Sequence, residues 1–151
     1  MSELKDRLRS DLTTAIRGRD ELSTATLRMA LAAITTEEVA GSSARELSDD
    51  EVLKVLARES KKRREAADAF GSAGRAELAE RERAEGSVLE RYLPAQLSDA
   101  EVGELVAAAI AETGASGMQQ MGAVMRVAQQ KAAGRADGKR LSTEVRRQLT
   151  G

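Results

Sequence analysis

The side chains that could do chemistry in this sequence are carboxylates, amines, guanidiniums and hydroxyls, because Cys and His are both absent. Without Cys there is no thiolate nucleophile and no disulfide framework. Zinc is usually held by Cys and His, and general-base catalysis most often uses His. The adjacent carboxylates Asp49 and Asp50 follow Ser48 and precede Glu51, and negative charge there favours the positive end of a helix. They read as part of a helix cap. No catalytic residue, metal-ligand set or cofactor is expected, and binding is favoured over catalysis.

Two groups of bases are candidates for holding an anion. The first is Lys61-Lys62-Arg63-Arg64, with Arg58 one turn earlier. Successive helical residues lie about 100° apart, so four consecutive bases surround a helix and cannot all face water. On that wheel Glu59 and Arg63 fall in the apolar sector of Val52, Leu56 and Phe70. Four apart and opposite in charge, they are expected to form an ion pair, with the Arg stem lying along apolar surface. The alternative is a groove in which Arg63 and its neighbours take phosphate or carboxylate, which the planar donor fork of Arg suits.

The second group is Arg126, Lys131, Arg135, Lys139, Arg140, Arg146 and Arg147. From Arg126 to Gly151 these seven bases face two acids, whereas Pro94 to Met125 carries four acids and no base. Charge segregated in this way can steer a polyanion towards one end of the chain. Within the group, Gly134-Arg135-Ala136-Asp137-Gly138-Lys139 joins two helices. It lacks P-loop spacing and follows a helix rather than a strand. Asp137 reads as a helix N-cap, and an anion-contact loop at that helix N-terminus is the alternative. Met118, Met121 and Met125 share one helical face, which suits adaptable core packing or, alternatively, a groove for a partner protein.

The elements that must position these residues are all helices. Phe70 and Tyr92 are the only aromatics, and Ala, Leu, Glu, Arg and Lys dominate, all of them good helix formers. The first helix spans about Ser2 to Arg17 on a stripe of Leu4, Leu8, Leu12 and Ile16. The second runs from about Ser23 to Ala40 with Leu27, Leu31 and Ile34. The third opens at the capping box Ser48-Asp49-Asp50-Glu51 and reaches about Phe70. The fourth runs from about Arg75 to Tyr92, with Gly86 inside it, which a close helix crossing would explain. Pro94, the only proline, biases Leu93 out of helix and marks a domain boundary. A second capping box, Ser98-Asp99-Ala100-Glu101, opens the fifth helix, which Thr113-Gly114 ends. The sixth spans about Met118 to Ala133, capped by Ser116 and ended by Gly134. The last starts between Asp137 and Ser142 and carries Leu141, Val145 and Leu149. The expectation is an all-α chain with an N-terminal four-helix domain, 1–93, and a C-terminal three-helix domain, 94–151.

The longest uncharged run, Thr113 to Met125, is shorter than the roughly 18 apolar residues of a membrane span. Met1-Ser2-Glu3-Leu4-Lys5 lacks the basic segment and apolar core of a secretory signal. A cytoplasmic protein without a membrane partner is expected.

Leu27-Arg28-Met29, the Glu59 to Arg64 segment, Tyr92-Leu93-Pro94-Ala95-Gln96-Leu97-Ser98, and Met121-Gly122-Ala123-Val124-Met125 followed by Gly134-Arg135-Ala136-Asp137-Gly138-Lys139 resemble the GatB/YqeY family over essentially the whole chain. The resemblance implies a two-part helical fold like the tail of the B subunit of the glutamine-dependent tRNA amidotransferase, a tail that helps hold tRNA. In that complex the chemistry is done by other domains, so the family label of carbon–nitrogen ligase with glutamine as amide donor implies only an accessory role here. The implied partner is tRNA or another RNA, with Arg58, Lys61, Lys62, Arg63, Arg64 and the seven C-terminal bases as contacts. A protein partner, such as an amidotransferase, is the alternative. Two aromatics offer little base stacking, so contacts would go to phosphate and shape and weaken with salt.

Overall fold

The computed structural model describes residues 2–151, and among them there are seven α-helices and no strand. They fall into two compact units, the first ending at Leu93 and the second running Pro94–Gly151.

Unit 1 holds α1 (Glu3–Arg17), α2 (Glu21–Glu38), α3 (Asp49–Ser72) and α4 (Ala76–Glu90). Its ends are set by polar side chains that take up orphan amides. Ser2 accepts from the Lys5 amide and Asp20 from the Ser23 amide. At α3 the expected capping box forms, with the Glu51 amide donating to Ser48 Oγ and the Ser48 amide donating to Glu51 Oε1 at 3.2 Å. The core comprises Leu8, Leu27, Ala30, Ile34, Leu47, Val52, Val55, Leu56, Val88 and Leu89. It is aliphatic throughout, in keeping with the scarcity of aromatics. Leu4, Leu12, Tyr92 and Leu93 pack at its edge.

Ile16 leaves the expected stripe and is 47% exposed, while Ala15 is buried in its place. A spacing of four residues advances about 40° per step around a 3.6-residue helix. Three steps from Leu4 therefore carry Ile16 off the buried face. Asp20 likewise moves the start of α2 ahead of the expected Ser23, and α3 continues through Gly71 to Ser72.

Unit 2 holds α5 (Asp99–Thr113), a single 3-10 turn (Met118–Gln120), α6 (Met121–Ala132) and α7 (Gly138–Thr150). Each of the three helices packs against the other two. Val102, Val106, Ala109, Val124, Ala128, Ala132, Leu141 and Val145 fill the centre. Ser98 and Glu101 complete the second capping box, and Gly114 closes α5 at φ 66°. Ser116 does not cap α6. Its amide donates instead to the Gln120 side chain at 2.6 Å, and the 3-10 turn intervenes. The methionine face splits: Met121 and Met125 pack on the core, and Met118 is 42% exposed.

Gly86 is buried where α4 lies along α3, and a Cβ built on it would sit 3.5 Å from Arg63 Cβ. That is ordinary van der Waals contact, so a methyl group fits. Since Gly costs roughly 1 kcal/mol relative to Ala inside a helix, Gly86→Ala is expected to raise stability by up to about that amount in urea unfolding of the full chain. A destabilised Gly86→Ala would mean that α3 and α4 approach too closely for any side chain.

Candidate nucleic-acid interface

Helix α3 presents its basic run to carboxylates on its own and neighbouring helices. Arg58 on α3 pairs with Glu37 of α2 at 3.2 Å, Lys61 with Glu65 at 4.0 Å, and Lys62 with Glu59 at 3.0 Å. Arg64 donates to Ser60 Oγ at 3.4 Å. The expected Glu59–Arg63 pair is replaced. Arg63 turns towards α4, where Nε faces Glu82 at 3.5 Å and Nη1 faces Glu85 at 3.4 Å, and Nη1 also meets Met29 Sδ at 3.2 Å. Glu59, with its side chain nearly buried, takes Lys62 instead. The wheel placed Arg63 on the inner face correctly, but a wheel of one helix carries no information about carboxylates on the next.

The Arg63 side chain is 21% exposed. Its Nε and Glu82 Oε2 are buried, and neither makes a hydrogen bond, so their attraction is purely that of an ion pair. The pairing extends across unit 1: Arg81 holds Glu85 at 3.0 Å and both oxygens of Glu21 at 2.9 and 3.0 Å. Arg81 consequently titrates above its ordinary value, and Glu21 below its own, chiefly through their mutual hydrogen bonds.

In unit 2 charge is sorted by helix. Helix α5 carries Asp99, Glu101, Glu104 and Glu112, and all seven bases lie on α6, α7 and the loop between them. Three of the seven have acidic partners: Lys131 with Glu112 at 2.9 Å, Arg140 with Asp99 at 3.0 Å, and Arg147 with Glu144 at 3.0 Å. Arg126, Lys139 and Arg146 are exposed and make no ion pair or side-chain hydrogen bond among the described residues. Arg135 donates from Nε to the Ala95 carbonyl at 2.9 Å. A neutral acceptor orients the guanidinium without cancelling its charge. Asp137 caps α7 as expected, accepting from the Arg140 amide at 2.8 Å. Beside that helix start, Asp99, Val102, Lys139, Arg140, Thr143 and Glu144 line a groove of about 300 Å³.

Sequence reasoning missed several polar clusters, the Arg81 network among them, and one more lies where unit 1 ends. At the C-terminal end of α4 the Tyr92 hydroxyl donates to Asp11 of α1 at 2.5 Å, and the Arg7 guanidinium lies 4.8 Å from the centre of the Tyr92 ring. Burial, the hydrogen bond to Asp11 and its negative charge push the Tyr92 hydroxyl well above its ordinary pKa. These residues are 81 positions apart, and no spacing rule links them.

The molecule is therefore an all-α protein of two helical units, with its uncompensated C-terminal bases in the second. The chain belongs to the Yqey-like protein family, whose model matches residues 5–149. Comparison with curated proteins gives no match. Among the described residues no group of three or more carboxylates is placed to hold a metal ion, and no helix is long and apolar enough to cross a membrane.

Among the described residues, seven carboxylates perturbed by pairing or capping are all shifted downwards. Glu51 falls to about 2, held there first by Arg45 and then by the Ser48 amide, and Asp20, Glu21, Glu38, Asp49, Glu101 and Glu144 fall as well. A carboxylate depressed in the folded state stabilises above its unfolded pKa and loses that contribution as pH falls through the folded value. Urea midpoints are expected to stay level from pH 7 to about 5, then decline between about 4.5 and 2. Glu51→Gln should remove part of that decline; a midpoint that rises on acidification would contradict the pairing described.

Proposed function

We propose that this protein is a noncatalytic RNA-binding accessory module whose contact surface is the basic part of unit 2. The observation that carries the reading is that Arg126, Lys139 and Arg146 have no acidic partner and that Arg135 is held by a carbonyl. Arg126, Lys139 and Arg146 keep their full charge for an external phosphate, and Arg135, which feels the charge of Glu101, forms no direct ion pair. The acids of α5, on the same unit, repel a polyanion and so restrict where it can lie. Resemblance to the amidotransferase tail makes tRNA the favoured RNA, and the same resemblance supports treating the two units as an N-terminal four-helix and a C-terminal three-helix domain of a cytoplasmic protein.

Arg58, Lys61, Lys62 and Arg63 are left out of the contact surface. Each already faces a carboxylate, and a phosphate would have to displace it. Docking of a protein through the methionine face has less support, because Met118 alone of the three is open. With few aromatics, affinity would come from phosphate contacts and fall steeply with salt.

Binding of a bulk tRNA fraction measured by fluorescence anisotropy over a salt series tests this. Lys139→Ala is expected to lower the slope of log affinity against log salt by about one, and Arg126→Ala and Arg146→Ala likewise. Arg58→Ala should leave it unchanged. Absence of binding at low salt, or equal effects from all four substitutions, would refute the assignment.

A further inference from the structure

We infer that the Arg135 and Arg140 guanidiniums clamp the segment Pro94–Leu97 onto unit 2, and that a polyanion bound to the Arg135 guanidinium tightens the clamp. The second half rests on the RNA-binding reading above; the first half does not.

The segment precedes α5 and has no helix or strand of its own to hold it. Its order comes from three hydrogen bonds to the α6–α7 loop and the start of α7. Arg135 Nε donates to the Ala95 carbonyl at 2.9 Å, the Leu97 amide donates to the Arg135 carbonyl at 2.8 Å, and Arg140 Nη2 donates to the Leu97 carbonyl at 2.8 Å. Leu97 itself is buried in the same core as Ala136. Two consecutive residues in the left-handed region, Ala133 at φ 48° and Gly134 at φ 81°, turn the chain after α6. They allow Arg135 to come back alongside a segment 40 residues earlier. The Leu-Pro-x-Gln-Leu-Ser and Gly-Arg-Ala-Asp-Gly-Lys runs, far apart in the sequence, thus serve one joint.

The donors of both side chains are only partly used. A guanidinium offers five N–H donors in a rigid fork. Arg135 spends Nε on Ala95, leaving both terminal nitrogens. Arg140 spends Nη2 on Leu97 and Asp99, leaving Nε and Nη1. A phosphate can therefore take the remaining donors of Arg135 without breaking its bond to the segment, whereas Arg140 is already compensated by Asp99. A guanidinium held from both sides loses rotamer freedom, and the carbonyl it grips is held more tightly.

Hydrogen exchange of the full chain, followed at the peptide containing the Leu97 amide, tests both halves. The double variant Arg135→Lys, Arg140→Lys keeps the charge and removes the fork. Without RNA it is expected to exchange about five- to thirtyfold faster at this peptide, the effect of losing one to two ordinary hydrogen bonds, with α5 and α7 peptides exchanging as in the parent. Arg135→Ala, which cannot reach Ala95, guards against a lysine that can. Parent-like exchange in both variants would overturn the clamp. On adding the bulk tRNA fraction, the parent segment is expected to slow severalfold and the double-lysine segment less. RNA that binds, as read by anisotropy, yet leaves exchange unchanged or faster would overturn the tightening. RNA that fails to bind at low salt would overturn both the tightening and the RNA-binding reading, while the comparison made without RNA still decides the clamp.

Discussion

The allotment of carboxylates among the bases governs what this molecule can do. A base that faces an acid at about 3 Å is largely compensated; a base held by a carbonyl or by water is not. In unit 1 the allotment runs from Glu21 through Arg81, Glu85 and Arg63 to Glu82, tying α2, α3 and α4 together. The members at the outer edge are exposed, and exposed pairs contribute little to stability because water and salt screen them. Arg63 and Glu82 differ, since both are mostly withdrawn from solvent. Removing one of two such partners leaves a buried charge uncompensated, which costs far more than the pair contributes. The network therefore specifies which helix faces meet more than it adds to the free energy of folding, which falls to the aliphatic core.

That division between core and charge follows from composition. With a core of Leu, Ile, Val and Ala, the helices have few shape-specific contacts of the kind a large ring supplies. Tyr92 is the exception: its ring packs at the edge of the unit 1 core while its hydroxyl ties the end of α4 to Asp11. One aromatic thus performs two tasks, and both lie next to the point where the chain leaves unit 1.

Local signals were legible in the sequence because their causes are local. The capping boxes at Ser48 and Ser98, the N-cap at Asp137 and the stop at Gly114 each depend on residues within a turn, and each forms. The all-α class followed from composition in the same way. What could not be read is partner choice across helices. Arg63 was placed on the correct face, yet its partners sit on α4, 19 and 22 residues away. Ser116 carried a cap signal but lost to Gln120, whose longer side chain reaches back over the 3-10 turn. The Ala133–Gly134 turn, which brings Arg135 to Ala95, needs a left-handed alanine that no propensity would suggest.

The same reasoning separates the two basic groups more sharply than their sequences do. Read as strings, Lys61-Lys62-Arg63-Arg64 is the denser of the two candidate clusters. Helix geometry makes it the less available one. Consecutive bases on one helix are spread around it, so each meets a different neighbour, and in unit 1 acids outnumber bases. The C-terminal bases are sparser but come after α5 has gathered most of the acids of unit 2. Separation along the chain becomes separation between helices, and four of the seven bases are left without a direct ion pair. Charge available to a partner is thus set by where the opposing charges are placed, and not by how many bases stand together in the sequence.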